Sequence, residues 1–587
     1  MGKGIVKLGE GNWAVKDGNL LAAKETNGRF KNTEFTVTRG TDATYVGKDG
    51  LIKTASFYNL VPYSEDFSEW TLQRATLTPN DTTSPNGTLN AYKLTHTSGS
   101  SGYVYDTIPT VNSGDSRTIS VFAKYIDDEV FKIVTFTDSG NAQFNLLNGT
   151  VTSVSGTITD GKIENYGNGW YRCSCKYTAT VTSTRNYGFY LDDTSKEGVH
   201  IWGAQLVEGT EALDYQYTNG KEGIPRIDFT DNTDGHLLLE PESRNLITYS
   251  EDFIEWNNSN TTDAISTINS PDGTQNATTI TASGSGVLNH IISSDDFTIA
   301  SGDITASIFA KKGTVDYLRL RFDGTTSNER GWYNLNNGTI DGEDSSGSAK
   351  IEDYGNGWYR CILTSSNNTA SGNCNLQIFI QDTGGTQTSW EADGTENIHI
   401  WGGQVEQLEY PTSYIPTNGS TVTRDAETCT DAGEAADFNS EEGTFYVDVA
   451  ALNSSPGEQI TISLSGGNSN DRLLVYSTSG GGKWDSQFRK NSANVVSINK
   501  SATVSNQSKV AVTWAAGRHV MFVDGVKATV YGVGSETTST TFDAGDLKSL
   551  QFSPNKGNTS NSFYGKVKAI RVYKEALSDT DLENLTS

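Results

Sequence analysis

Apolar and polar residues alternate with a period of two along much of this chain. In Thr118-Ile119-Ser120-Val121-Phe122-Ala123, the side chains of Ile119, Val121 and Ala123 fall on one face of a strand. Gly443 to Val449 alternates in the same way. Lys509–Trp514 and His519–Lys527 read as a strand followed by a hairpin turning at Asp524-Gly525. Asn148-Gly149 and Asp272-Gly273 mark further hairpin turns, because both residue types reach the positive φ that tight turns need. A last strand spans Phe563 to Tyr573, and Ser578 caps one short helix after it. Short strands at close spacing, with no long amphipathic helix, predict an all-β chain of antiparallel sandwiches.

The pattern repeats. Asn59-Leu60-Val61-Pro62-Tyr63-Ser64-Glu65-Asp66-Phe67-Ser68-Glu69-Trp70 returns as Asn245-Leu246-Ile247-Thr248-Tyr249-Ser250-Glu251-Asp252-Phe253-Ile254-Glu255-Trp256. Blocks beginning at Ser84, Ser120, Asn148, Tyr166 and His200 return at Ser270, Ser307, Asn337, Tyr354 and His399, making six blocks in one order, offset by 186 to 199 residues. Each unit is large enough to bury its own core, so this is a duplicated domain and not a solenoid. The expected organisation is an N-terminal attachment segment at 1–58, module 1 at 59–220, a linker at 221–244, module 2 at 245–420 and a different sandwich at 421–587. Residues 1–58 are too few to hold a core alone and are expected to pack on a neighbour or join a larger assembly. Val46–Ile52 within them reads as a hairpin, and Phe35-Thr36-Val37-Thr38-Arg39 resembles Ser420-Thr421-Val422-Thr423-Arg424.

Composition sharpens this picture. Hydrophobic residues are only 35% of the 587, yet 10% are aromatic and there are 60 Gly, a balance that suits aromatic cores between sheets joined by tight turns. The formal net charge of −27 disfavours nucleic acid and anionic membranes as partners, and favours solubility. The five cysteines, Cys173, Cys175, Cys361, Cys374 and Cys429, are odd in number and differently spaced in the two repeats, so buried free thiols are expected. No apolar stretch predicts membrane insertion, and Met1–Val6 has no signal-peptide character, which points to release by cell lysis rather than export.

The motifs Asn-Leu-x-x-Tyr-Ser-Glu-Asp-Phe-x-x-Trp, Gly-Trp-Tyr-Arg-Cys and Ile-Trp-Gly-Gly-Gln-x-Glu, closing on Tyr410-Pro411-Thr412-Ser413-Tyr414-Ile415-Pro416-Thr417, resemble jelly-roll modules of tailed-phage structural proteins. More distantly they resemble carbohydrate-binding modules of the galactose-binding-like type. The C-terminal part is similar to laminin-G-like, concanavalin-type sandwiches through Val510–Trp514, Phe522–Val526 and Tyr564–Leu577, and Asp42–Ile52 resembles leaders of phage appendage proteins. The resemblance implies two tandem jelly-roll modules plus a concanavalin/laminin-G-like sandwich, exposed on a virion, with other virion proteins and host surface glycans as partners. It also implies a homo-oligomer, with trimers frequent in the class.

Six of the eleven tryptophans lie in repeated blocks. Trp170, Trp202, Trp358 and Trp401 occupy strand motifs and belong to cores, whereas Trp70 and Trp256 end polar segments and are candidate glycan-stacking platforms. Glu65-Asp66 and Glu251-Asp252 are candidate ligands for the structural calcium found in related jelly rolls, the alternative being a turn with a capping Asp. Asp228, Asp231 and Asp234 imitate an alternating calcium loop but lack its downstream Glu. His200 and His399 are the one repeated histidine pair, and their strand position suits packing or hydrogen bonding. No catalytic residue is assigned: residues 430–587 contain no Glu-x-Asp-x-x-Glu run, nor does the chain contain a nucleophile elbow or phosphate loop. The expected function is therefore a non-enzymatic, adhesive phage protein, a tail fibre, receptor-binding protein or capsid-decorating fibre. A bacterial extracellular glycan-binding adhesin is the alternative, and a polysaccharide-degrading enzyme the third reading.

Overall fold

The computed structural model describes residues 6–9, 14–16, 19–26, 29–56, 58–97, 101–136, 139–191, 196–218, 224–230, 233–284, 286–385, 389–452, 460–477, 482–555 and 561–587. The fold is all-β, built of antiparallel sandwiches, and Asp579–Thr586 forms an α-helix whose N-cap Ser578 accepts from the Asp581 amide. The chain divides into two compact units: Lys16–Gly18 with Phe57–Glu222, and Met1–Val15, Asn19–Ser56 and Gly223–Ser587.

Module 1 sandwiches two six-stranded sheets. The back sheet runs Ile158–Gly167, Trp170–Thr178, Ser116–Tyr125, Val199–Glu208, Leu89–His96, Ala75–Thr83, and the front sheet Thr150–Ser155, Gly140–Asn145, Val130–Thr135, Ser183–Leu191, Gly102–Val111, Thr71–Gln73. Ile119, Val121 and Ala123 point inward as the alternation predicts, against Phe131, Ile133, Phe144 and Phe189 of the facing sheet. Cys173 and Cys175 are buried in this core as free thiols, as are Cys361, Cys374 and Cys429 elsewhere.

Module 2 repeats the plan, except that two short strands, Ile291–Ser293 and Phe297–Ile299, stand where module 1 has Gly102–Val111. Its front sheet orders Thr339–Glu343, Arg330–Asn334, Tyr317–Asp323, Gly372–Gln381, Ile291–Ser293 and Asn257–Ser259 as module 1 orders its own. Trp358 and Trp401 are core residues, as expected, but of a second cluster on the outer face of the back sheet, where Phe309 and Tyr414 cover them. Trp170 and Trp202 do the same in module 1 with Phe122 and Tyr215. The glycine after each of Trp202 and Trp401 permits this packing. Gly402 bulges at φ +65°, and a Cβ there would meet the Phe309 ring at 2.8 Å.

In the C-terminal sandwich, a six-stranded sheet including Arg472–Ser477, Lys483–Lys490 and Ala493–Ser501 faces a sheet built on Gly443–Ala451, Ser508–Ala515, Arg518–Val523 and Gly565–Tyr573. Asp524-Gly525 makes the expected two-residue turn, with φ of +48° and +75°. The N-terminal segment joins this unit: Val6–Gly9 pairs with Gly565–Tyr573, and Thr36–Thr38 pairs with Thr428–Thr430. The hairpin Ala43–Val46/Ile52–Ala55 packs on the outer tryptophan cluster of module 2. Residues 221–244 are not merely a linker. Arg226–Asp228 and His236–Leu239 form a hairpin whose second strand pairs with Gly565–Tyr573, because buried Leu237 and Leu239 complete the core there.

A buried ion network fastens these segments. Glu427 receives Arg39 and Arg226, while Glu240 receives Arg226 and Arg424, all with side chains at most 3% exposed. Burial alone would raise the Glu240 carboxyl, yet Arg424 and Arg226 hold it down at about 2. The Thr-Val-Thr-Arg repeat thus supplies Arg39 and Arg424, one to each acid.

Candidate functional site

The residues of the opening motif come together as an internal stitch. Asn59 is fully buried; its Nδ2 donates to the carbonyls of Ala204 and Gln216, and its Oδ1 accepts from the amides of Val61 and Leu206. Asn245 makes the matching four bonds with Gly403, Ile415, Ile247 and Val405. Asp66 and Asp252 cap the one-turn helices Phe67–Glu69 and Phe253–Glu255. Trp70 and Trp256 close those turns and are only 6% and 5% exposed. The Trp70 ring stacks on Phe189 at 5.3 Å, and its Nε1 donates to the Tyr63 carbonyl at 2.9 Å. Trp256 packs on Phe253 and donates to the Tyr249 carbonyl in the same way. Neither indole offers a face to a sugar, which corrects the expectation of a platform at these positions. A polar flank had suggested exposure, but the one-turn helix rotates the indole back into the core.

The paired carboxylates are likewise occupied by protein donors. Glu65 accepts from Asn90 Nδ2 at 2.7 Å and Tyr215 Oη at 3.1 Å, and Glu251 accepts from Asn276 Nδ2 at 2.8 Å and Tyr414 Oη at 3.0 Å. Asp66 accepts from the Ser68 amide and Tyr92 Oη, and Asp252 from the Ile254 amide. A hard cation needs several oxygens converging on one point, and these face N–H and O–H donors instead, so the residues present do not fit calcium. Among the described residues no three His, Cys, Asp or Glu side chains gather where they could hold a metal ion. Asp228 accepts from the amides of Val46 and Thr230, and Asp231 lies outside the described residues. His200 hydrogen-bonds Asp81 at 2.8 Å, and His399 bonds Thr279 at 3.0 Å; burial lowers the pKa of both.

The outward face of the front sheets carries what the repeat did not mark. In module 1, Val104 points into the core, so Tyr103 and Tyr105 point out, half-buried. One cross-strand row reads Gln73, Tyr103, Tyr190, Lys132, Gln143, Ser153. The rings of Tyr103 and Tyr190 stack at 5.5 Å with an interplanar angle of 18°, and Phe136 lies 4.6 Å from Tyr103. Arg74 and Lys132 sit over Tyr103 and Tyr190 at 5.9 and 5.8 Å. The result is an aromatic surface edged by cations and amides. Its signal in the sequence is the alternation Tyr103-Val104-Tyr105, which lies outside the repeated blocks. The same row in module 2 reads Ser259, Ile291, Phe379, Arg319, Trp332.

The C-terminal sandwich has its own outward row: Thr461, Tyr476, Asp485, Asn499, Thr529. Asp485 is fully buried, with Lys483 Nζ 3.5 Å away, and burial raises its pKa. Tyr531 lies over the row, its Oη 3.5 Å from that of Tyr476 and its ring 5.0 Å from Lys483 Nζ. The row carries one carboxylate, flanked by a phenol and an amide.

Among solved structures, the CBM40 module of a Ruminococcus gnavus IT-sialidase is 17% identical, covering 27% of this chain and 94% of its own, at a TM-score of 0.22. The tandem CBM22-1-CBM22-2 domain of Paenibacillus barcinonensis Xyn10C is 11% identical, covering 60% of this chain and 99% of its own, at 0.19. Domains LG4-5 of the mouse laminin α1 chain are 10% identical, covering 49% and 87%, at 0.18. No curated protein matches the chain. Residues 430–583 match the Laminin_G_3 family model, described as the concanavalin A-like lectin/glucanases superfamily, and the C-terminal sandwich is accordingly a concanavalin-like domain.

Proposed function

We propose that this chain is a non-enzymatic adhesive protein that holds glycans on the outward faces of its sandwiches and is carried on a phage particle, as a tail fibre, receptor-binding protein or capsid-decorating fibre. The observation that carries the glycan reading is the row of Tyr103, Tyr190 and Lys132, with Tyr105 and Phe136 beside it. Flat apolar rings set among amide and cationic donors suit a sugar, whose C–H faces stack while its hydroxyls hydrogen-bond at the edge. The non-enzymatic reading is supported by the single carboxylate in the Asp485 row, since acid and nucleophile roles need two. The phage reading is supported by the motifs shared with tailed-phage modules.

The test of binding is a glycan array followed by calorimetry on the intact chain. Tyr103→Ala with Tyr190→Ala should abolish module 1 binding, a loss of about tenfold or more. An array without any bound glycan, or binding that ignores both substitutions, would overturn the glycan reading. Release of reducing sugar from the bound glycan would overturn the non-enzymatic one. Antibody labelling of purified particles should mark the appendages or the capsid surface; labelling of bacterial cells alone would favour the bacterial adhesin instead.

A further inference from the structure

We propose that the outer face of module 1's back sheet is a docking site for a β-hairpin carried by another protein. The inference is independent of the glycan reading, which concerns the opposite face of the module. It comes from two copies of one surface, of which the chain itself covers one.

In module 2 the outer cluster of Phe309, Trp358, Trp401 and Tyr414 lies under the hairpin Ala43–Val46/Ile52–Ala55. Val46 and Ile52, opposite each other across the hairpin, are buried in that cluster. The Ile52 amide donates to the Pro271 carbonyl at 3.0 Å, and Thr44 Oγ1 donates to the Tyr414 carbonyl at 2.5 Å. Leu51 closes over the Ser270–Thr274 turn, where a Cβ on Gly273 would meet it at 3.0 Å. An aromatic patch and two backbone acceptors thus receive one hairpin.

Module 1 builds the same surface from Phe122, Trp170, Trp202 and Tyr215. Tyr166 meets Phe122 edge-on at 4.8 Å, as Tyr354 meets Phe309 at 4.8 Å. Among the described residues, however, this copy has no cover. Tyr166 is 50% exposed, whereas Tyr354 is partly buried. A Cβ on Gly87, the counterpart of Gly273, would meet nothing within 4 Å. The carbonyls of Pro85 and Tyr215, counterparts of the two acceptors, receive no hydrogen bond from the described residues. The margin is also more apolar than in module 2. Leu213, 43% exposed, replaces buried Thr412, and Leu89, 62% exposed, replaces Gln275. Apolar side chains left in water beside unpaired carbonyls mark an interaction surface.

The covered copy defines the occupant. It is a two-stranded turn with β-branched residues facing each other, an amide to meet the Pro85 carbonyl and a hydroxyl to meet that of Tyr215. A basic residue beside it suits Asp214, which stands exposed where Ser413 accepts from Arg226 Nη1 at 2.7 Å; Glu211 is already held by Lys162. This chain's own hairpin is seated on module 2, so the hairpin for module 1 belongs to a different protein.

The test is calorimetric titration of the intact chain with a cyclised peptide of the Ala43–Ala55 sequence, joined to oxidative footprinting of tyrosine. Cyclisation holds a strand pair that is marginal alone. The attached hairpin keeps module 2 closed to the peptide, because it competes at high effective concentration. We expect one equivalent to bind, Tyr166 to be protected, and Tyr166→Ser to weaken binding about tenfold. A peptide carrying Val46→Asp should not bind. If Tyr166→Ser does not fold, Leu213→Ser carries the same expectation. Absence of binding, or binding indifferent to both Tyr166 and Leu213, would overturn the proposal. So would self-association of the intact chain that Tyr166→Ser abolishes, which assigns the face to a second copy, or glycan binding with that dependence, which assigns it to sugars.

Discussion

At the scale of single residues, burial decides roles that residue type leaves open. His519 is buried against Phe488, ring centroids 4.6 Å apart, and burial lowers its pKa to about 4. Above about pH 6.5 the imidazole is neutral whether the chain is folded or not. As pH falls from there the unfolded chain takes up the proton first, so stability drains away until the folded-state value is reached. Denaturant unfolding at pH 7, 5 and 4 should show a loss of about 3 kcal/mol over this window that His519→Phe removes. A curve equally steep in the variant would refute it. The same principle explains what the sequence did and did not disclose. Trp170 and Trp358 were legible as core because they sit in strand blocks kept by both copies. Trp70 belongs to a kept block too, but its polar neighbours concealed a one-turn helix that turns it inward. Tyr103 and Arg319 lie in no kept block at all. Positions that both modules retain hold the fold, and the outward faces of the front sheets lie outside those retained blocks.

At the scale of elements, pairing partners were harder to read than the elements themselves. The strand alternation and the Asp524-Gly525 turn follow from local chemistry. That Arg226–Leu239 is a hairpin completing a sheet depends on a partner strand over three hundred residues away, which no local pattern announces. The polar residues around it looked like a linker because their charges are satisfied only in three dimensions. Glu427→Gln should expose this dependence. It would leave Arg39 and Arg226 facing a neutral amide in a fully buried site, a cost of about 3–5 kcal/mol measurable by chemical denaturation. A change below about 1 kcal/mol, the level of a surface pair, would mean the network is not what fastens these segments.

At the scale of the whole molecule, two compact units with separate cores should unfold in more than one calorimetric transition. Trp70 belongs to the Phe57–Glu222 unit, so Trp70→Ala should lower one transition by roughly 10 °C and leave the others in place. A uniform downward shift would show that the units melt together.

The pairing of Val6–Gly9 with Gly565–Tyr573 also bears on how the protein is made. A ribosome adding about 5–20 residues per second needs roughly half a minute to two minutes between the first of these strands and the last. Module 1 can close during that interval, since all its strands lie between Thr71 and Glu208. The opening strand can pair with Asn19–Thr26 at once, but its other edge must wait, open to wrong partners, until Gly565–Tyr573 has been made. Premature termination therefore yields a chain with well-formed early sandwiches and an unmatched edge, a species prone to association and readily recognised by chaperones.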